Sequence, residues 1–475
     1  MSSIFLGSLL FSIWMVVLFW GKSIGLSMFL FVVPFSYFII NILEKKNKIK
    51  YKESKVLIIP IALLASTYFI FNNEFFRELN ILVILVLVLL MCINLISKNI
   101  QVNKLVIKIL ELVFVPLSYI ELTLKKLKTV IQIKLKFDKN ERNASIFKGM
   151  LITVPIAIFI IILLASADDV FGSIFTNLFS NISKIFGELK ITSIILKIIT
   201  IICVFCYLSS FLDYLVNKFE LEEDKKSESN VISITTVKML LITLNIIYII
   251  FCIIQVKSLF MQNGIINYSS YARKGFFQLM IVSFINLIMI LISKKNQKSK
   301  FITYMCLIMV ICTFIILISS AYRMYLYEST FGYTFLRLMV YFVLFTEAIL
   351  LIPTIYYVLD KKINLVKTYF MIIITMYIII NFSNIENIIA TRNVDRYFET
   401  GKIDFYYLQN EIGTDGISQI IRIKDINPST LEDKILKEEV SEYIKNYKEK
   451  LEKEKMDFRD FNISKIIAKN QLKEE

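Results

Sequence analysis

Ile81-Leu82-Val83-Ile84-Leu85-Val86-Leu87-Val88-Leu89-Leu90-Met91-Cys92-Ile93-Asn94-Leu95-Ile96 decides the fold class. Only Asn94 interrupts the run with a hydrogen-bonding side chain. A strand of a membrane barrel alternates apolar and polar residues over about ten positions. A continuous apolar run of this length, extended by a turn, matches a helix crossing a hydrocarbon core about 30 Å thick.

Ten further runs of similar character are present, so that the full set is 4–20, 24–43, 56–71, 79–96, 150–165, 191–216, 239–256, 276–292, 301–320, 338–359 and 366–382. Of the 475 residues 56% are hydrophobic, and only 12 Gly and 6 Pro punctuate them. The mean hydropathy is +0.66. A water-soluble domain cannot bury that much apolar surface. The first run lacks a basic leader and a small-residue cleavage site, so it reads as a retained helix. Segment 105–124 is long enough to cross, yet Lys104, Lys108, Glu111, Ser118, Glu121 and Lys125 recur at spacings of 3, 4 and 7 and draw one polar stripe. That stripe predicts a helix lying on the membrane surface. The reading is an all-α, polytopic transmembrane helix bundle of about eleven spans with a C-terminal helical extracytoplasmic tail. It divides into an N-terminal four-helix membrane segment (1–96), a basic cytoplasmic loop with a surface amphipathic helix (97–149), a seven-span membrane core (150–382) and the helical tail (383–475).

Charge orients the bundle. With 44–55 cytoplasmic, the inner loops carry 28 Lys or Arg and the outer ones 9, which places the N-terminus inside and, after eleven spans, the C-terminus outside a cell membrane. The net charge of +15 is therefore topological: residues 383–475 hold 16 basic and 19 acidic side chains. Nucleic acid is excluded as a partner because the lysines sit in short interhelical loops without a groove-reading motif. The expected partners are the bilayer, anionic lipid headgroups and an envelope protein. The chain has no histidine, which removes Ser/His/Asp and Cys/His couples and His-ligated metals. Cys203 and Cys206 form a C-x-x-C inside an apolar run with no second ligand pair, which reads as helix packing. No metal or other cofactor is expected, and no phosphate-binding loop is present.

Four segments carry chemistry. Asp168 and Asp169 end the fifth span; they offer a cation ligand or a proton acceptor, or cap the amphipathic helix that follows with Phe171, Ile174, Phe175 and Leu178 on one face. Tyr271-Ala272-Arg273-Lys274-Gly275-Phe276-Phe277 opens the eighth span. Arg323, Tyr325, Tyr327, Glu328, Gly332, Tyr333, Thr334 and Arg337 fill the next outer loop. Tyrosines at a membrane boundary form an aromatic belt and basic side chains anchor there. Of 54 basic residues, however, only nine are Arg, and Arg273, Arg323 and Arg337 occupy these two loops. Arginine offers a planar bidentate fork, which points to carboxylate or phosphate recognition or to fixed pairs with Asp168, Asp169 and Glu328. The fourth segment follows the last span: a helix through Asn393, Arg396 and Tyr397, a stop at Gly401, and a short helix opened by Asp404 that carries Tyr407. The tail beyond Pro428 presents Leu431, Ile435, Val440, Tyr443 and Ile444 as its apolar seam. Within the bilayer Glu347 stands out, about 13 Å into the tenth span at 1.5 Å per residue. A carboxyl at that depth must face the bundle, a partner or water, and it is the candidate for proton or cation coupling. Lys197 reads as a snorkelling anchor and Asp213 as a boundary residue.

These four segments, Ser166-Ala167-Asp168, Tyr271-Ala272-Arg273-x-Gly275-Phe276-Phe277-x-Leu279, Arg323 to Arg337, and Asn393-x-x-Arg396-Tyr397 with Gly401-Lys402-x-Asp404-x-x-Tyr407-Leu408, resemble the recurring motifs of a bacterial multi-pass membrane family catalogued only as a domain of unknown function. The resemblance runs over about 150–415, so the seven-span core is family-like. It implies an integral membrane protein and no particular activity. The chain departs from the pattern after Asn410, where Gly413-Thr414-Asp415-Gly416 replaces a Ser or Ala, Asp and proline. All four segments fall on the same, outer side. Three functions are open: binding or moving a charged or lipid-linked solute through an outer Arg/Asp/Tyr site; a non-enzymatic envelope sensor or scaffold that binds a partner through its outer face and tail; and, ranking last, a membrane enzyme with Asp168 or Asp169 as base.

Overall fold

Lipid leaves backbone N–H and C=O groups no partner outside the segment, and a helix pairs them all within it, so the apolar runs among the described residues fold as helices although many of their side chains are β-branched. The computed structural model describes residues 2–97, 102–132, 191–219, 233–260, 276–294, 299–360, 363–425, 428, 430–454 and 456–474. Among them no strand occurs, and nine helices are long and apolar enough to cross a membrane. All nine coincide with expected spans. The first run forms a further apolar helix, α1 (Ser2–Phe19), and the fifth expected span lies outside the described residues.

The chain divides into two compact units. The first contains α1, residues 33–45 of α2 (Leu26–Lys45), the end of α4 (Glu74–Ile96), α5 (Val102–Gln132) and α6 (Ile191–Asn217). Gly7 lets α1 approach α2 closely, since a Cβ there would fall 1.9 Å from the Phe38 ring. Helix α5 covers the expected 105–124 segment, and of its polar stripe Lys108 and Glu111 are half-buried while Lys104, Ser118, Glu121 and Lys125 are exposed. Tyr214 of α6 donates to Glu111, Lys108 reaches the same carboxylate at 2.7 Å, and beside the stripe Lys126 pairs with Asp213 at 2.6 Å. The apolar Ile107, Phe114 and Leu117 are exposed as well. Asp213, read as a boundary residue, is buried in this network.

The second unit contains α3 (Ile58–Ile70), the first part of α4, α7 (Ile234–Phe260), α8 (Phe276–Lys294), α9 (Lys300–Phe331), α10 (Phe335–Asp360), α11 (Leu365–Phe382) and everything after it. Helices α7 to α10 share a core of Leu241, Ile290, Met309 and Leu350. Helices α3, α4 and α11 are joined by Asn80, whose amide donates to Asn381 at 2.7 Å and accepts from Tyr377 at 2.7 Å.

The tail folds as short helices with readable ends. Asn384 caps α12 (Ile385–Thr400), Gly401 closes it at φ +70°, and Asp404 caps α13 (Phe405–Glu411) by accepting from the Tyr407 N–H. This is the helix, glycine stop and second helix expected of the segment. After a 3-10 turn at Thr414–Gly416 come α14 (Ile417–Ile421), α15 (Leu431–Lys453) and α16 (Ile463–Glu474). Thr430 and Asp433 form a reciprocal capping box at the start of α15. Its apolar seam is shifted from the expected one: Leu436, Val440, Tyr443, Ile444 and Leu451 are buried, whereas Leu431 and Ile435 are 74% and 49% exposed. Leu431 sits on the first turn, where nothing packs over it.

Leu408 lies at the centre of the tail core with Ile389, Val394, Ile420 and Val440. Leu408→Ala should cost about 2–5 kcal/mol through the cavity left behind. Limited proteolysis of the detergent-solubilised chain should show new cleavages after residue 385, whereas Leu431→Ala should leave the pattern unchanged.

Candidate functional site

Polar side chains within an apolar bundle meet where helices need hydrogen bonds that lipid cannot supply. In α9 these are Thr313, Ser319, Ser320, Arg323 and Glu328, all buried. Gln255 of α7 accepts from the Ser319 hydroxyl at 2.7 Å and from the Arg323 guanidinium at 2.9 Å. One helical turn apart on α8, Ser283 donates to the Glu347 carboxyl of α10 and Asn286 donates to Thr313 at 3.0 Å. Glu347 is only 4% exposed. The Asn286 side-chain oxygen is buried and accepts no hydrogen bond among the described residues. Two sets of polar side chains therefore lie among α7 to α10, Gln255 with Ser319 and Arg323, and Ser283 and Asn286 with Glu347 and Thr313.

The turn between α9 and α10 is built around Gly332, which adopts φ +82°. A Cβ there would lie 2.6 Å from Asn393 Oδ1 and 2.7 Å from Arg396 Nη1, so both conformation and space require glycine. Asn393 uses its amide as a backbone would: Oδ1 accepts from Tyr333 N–H at 3.0 Å and Nδ2 donates to Tyr333 O at 2.8 Å. Arg396 donates to Thr330 O at 2.7 Å, and Tyr407 receives the Phe335 N–H at 2.8 Å. The Gly-Tyr-Thr and Asn-x-x-Arg motifs are thus two halves of one joint.

The remaining expected site residues fall into separate contacts. Arg337 stacks on Tyr327 with 4.4 Å to the ring centroid and donates to Gly332 O. Glu328 accepts from Tyr333 and Tyr341; burial and this carboxylate push the Tyr333 phenol up to about 12. Tyr397 donates to Asp433 at 2.5 Å. Asp168, Asp169, Arg273 and the amphipathic helix from Phe171 lie outside the described residues, as does the loop containing Lys274. Cys203 and Cys206 are free thiols on α6, one exposed and one buried.

A second polar centre, not expected from the sequence, joins the tail to the α3–α4 turn. Asp415 accepts from the Asn72 N–H at 3.0 Å on each carboxylate oxygen. Glu386 accepts from Asn73 Nδ2 at 2.6 Å and from Gly413 N–H at 2.9 Å. Asn72 and Tyr447 both donate to Thr414. Asn462, just before α16, donates to the carbonyls of Tyr68 and Phe71 at 3.0 and 2.8 Å, which together with Arg77 satisfies the end of α3. Nearby, Ser27 N–H donates to Arg459 O at 3.0 Å and Arg77 donates to Ile24 O. The unusual Gly413-Thr414-Asp415-Gly416 stretch is the middle of this centre. Gly413 leaves room for Glu386, since a Cβ there would meet its Oε2 at 3.0 Å.

A family model matches residues 58–423, which include the α7–α10 group and Asn72, Glu386 and Asp415 of the second centre, and its description reads domain of unknown function, DUF4153. The chain belongs to this family. The match begins about ninety residues before the four-motif resemblance does, taking in the α3–α4 turn that the tail of this DUF4153 protein engages. No curated protein and no solved structure matches the chain.

Gly332→Ala in this DUF4153 protein should cost about 1–3 kcal/mol in backbone strain alone, and Asn393→Ala should cost about as much by leaving the Tyr333 amide and carbonyl unpaired. Both should lower the thermal aggregation temperature of the solubilised chain. The double variant should lose less than the sum, because one joint is broken.

Proposed function

We propose that this integral membrane protein binds or moves a charged solute through the α7–α10 group, with Arg323 meeting the solute on the outer side and Glu347 as the coupling carboxyl. The observation that carries this reading is the burial of Glu347 against Ser283, one turn from the open oxygen of Asn286. Glu347 is twelve residues into α10, about 18 Å along it at 1.5 Å per residue, and ionisable groups at such depth are expensive and mark ion or proton pathways. Arg323 lies about 12 Å before the end of α9 by the same measure. A helix of 32 residues exceeds the roughly 20 that a bilayer requires, so its last turns can reach the aqueous boundary. An arginine there suits an anionic group on the solute.

The lysine distribution supports an outer position for the α9–α10 turn and the tail, and a basic inner surface suited to anionic headgroups. The folded tail core supports a second reading, a scaffold that binds an envelope partner through α12–α16.

Purified protein in liposomes carrying an entrapped pH-sensitive dye tests the first reading. Wild type should dissipate an imposed proton gradient faster than protein-free vesicles, Glu347→Gln should fall to the protein-free rate, and Arg323→Lys should lie between. Equal rates in wild type and Glu347→Gln would reject coupling at Glu347. For orientation, a periplasm-dependent reporter fused after Tyr407 should be active, and the same reporter at Lys48 silent.

A further inference from the structure

Glu386, on the first turn of α12, and Asp415, in the 3-10 turn after α13, are 5% and 7% exposed, and both point at the α3–α4 turn. Two carboxylates sharing a buried site cannot both ionise cheaply. Their surroundings differ. Asp415 accepts from both Asn72 and Asn73 N–H groups and from Ser464, with Arg77 nearby; burial still raises its affinity for a proton, and these donors and the guanidinium oppose that. Glu386 has two neutral donors, Asn73 Nδ2 and Gly413 N–H, and faces the negative charges of Asp415 and Glu74. The other titratable groups around Glu386 are phenols: Tyr407 of α13 and Tyr443 and Tyr447 of α15. Tyr443 is 9% exposed, its hydroxyl is buried without a hydrogen-bond partner among the described residues, and it feels the Glu386 charge.

We propose that Glu386 and Asp415 form a proton-binding site, with the proton on Glu386 beside an ionised Asp415, and that its occupancy sets how firmly the helices after residue 385 hold the 71–77 segment. Burial first, and the Asp415 charge second, push Glu386 from its ordinary value up to about 7. The sign follows from linkage: the docked state binds the proton more tightly than an undocked, hydrated Glu386, so docking weakens as pH rises between the two values and is level above the higher one. With an ordinary value near 4.5 and a docked value near 7, the docking constant falls about twentyfold from pH 5.5 to 7.5. This inference is independent of whether the α7–α10 group moves a solute.

Hydrogen exchange of the full chain in nanodiscs, corrected for the intrinsic pH dependence of exchange, tests it on peptides covering 70–76 and 412–418. Wild type should lose protection about twentyfold between pH 5.5 and 7.5, and Glu386→Gln should show no change over that interval. An unchanged pH dependence in Glu386→Gln, or none in wild type, overturns the proposal. Should Glu386→Gln undock at both pH values, infrared titration of the Glu347→Gln chain decides. A protonated-carboxyl band that disappears near pH 7, and is missing when Glu386 is also replaced, supports the site; a spectrum without such a band overturns it.

Discussion

Hydrocarbon offers no hydrogen bonds, so a polar side chain placed within the bundle turns to the backbone of its own helix or to a partner on another one. That constraint organises the α7–α11 region. Ser283 with Glu347, Asn286 with Thr313, Ser319 with Gln255, and Asn80 with Asn381 are each a bond between two different helices. Leu and Ile surfaces alone would let helices slide over one another, because lipid solvates them as well as a neighbouring helix does. The polar pairs fix register. The same groups then present oxygens at a depth where ions and protons otherwise find none, and structure and proposed transport draw on the same few residues.

The joint between α9 and α10 works differently. Gly332 is left-handed, the next residue offers its backbone N–H and C=O to Asn393, and Arg396 closes over Thr330. A membrane hairpin is thereby held by an amide side chain acting as a surrogate strand. The charged residues that look like a ligand cluster in sequence are mostly engaged within this frame: Arg337 lies flat on Tyr327, and Glu328 serves two tyrosines. Arg323, one and a half turns deeper on α9, belongs with Gln255 and Ser319 instead.

Spans, caps and stops were legible because they are local. Continuous apolar runs have one interpretation at this length, and Gly401 and Asp404 are residues whose own chemistry stops and starts helices. The pairing of the third and fourth motifs was legible only as order along the chain. The Glu386 and Asp415 centre was not, for a physical reason: its partners Asn72 and Asn73 lie more than three hundred residues away, and an acid in the first turn of a helix reads as a dipole partner. The departure at Gly413-Thr414-Asp415-Gly416 was the one available clue, and it marked the part of the tail that docks. The seam of α15 misled by phase: Leu431 and Ile435 fit the period, but the helix axis turns Leu436 and Leu451 to the core. For α5 the stripe was visible, while the half-burial of Glu111 within it depends on Tyr214 of a helix far downstream.

Asn462 adds a consequence for assembly. The last carbonyls of α3 take one donor from Arg77, a few residues on, and a second from a side chain made some 390 residues later. Until the ribosome has delivered Asn462, Arg77 alone holds the exit of this early membrane helix, and before Glu386 and Asp415 are made the α3–α4 turn has no carboxylates to bind. An early part of this unit is therefore completed by a much later one, and nascent chains stalled before residue 386 hold the α3 end by local contacts only.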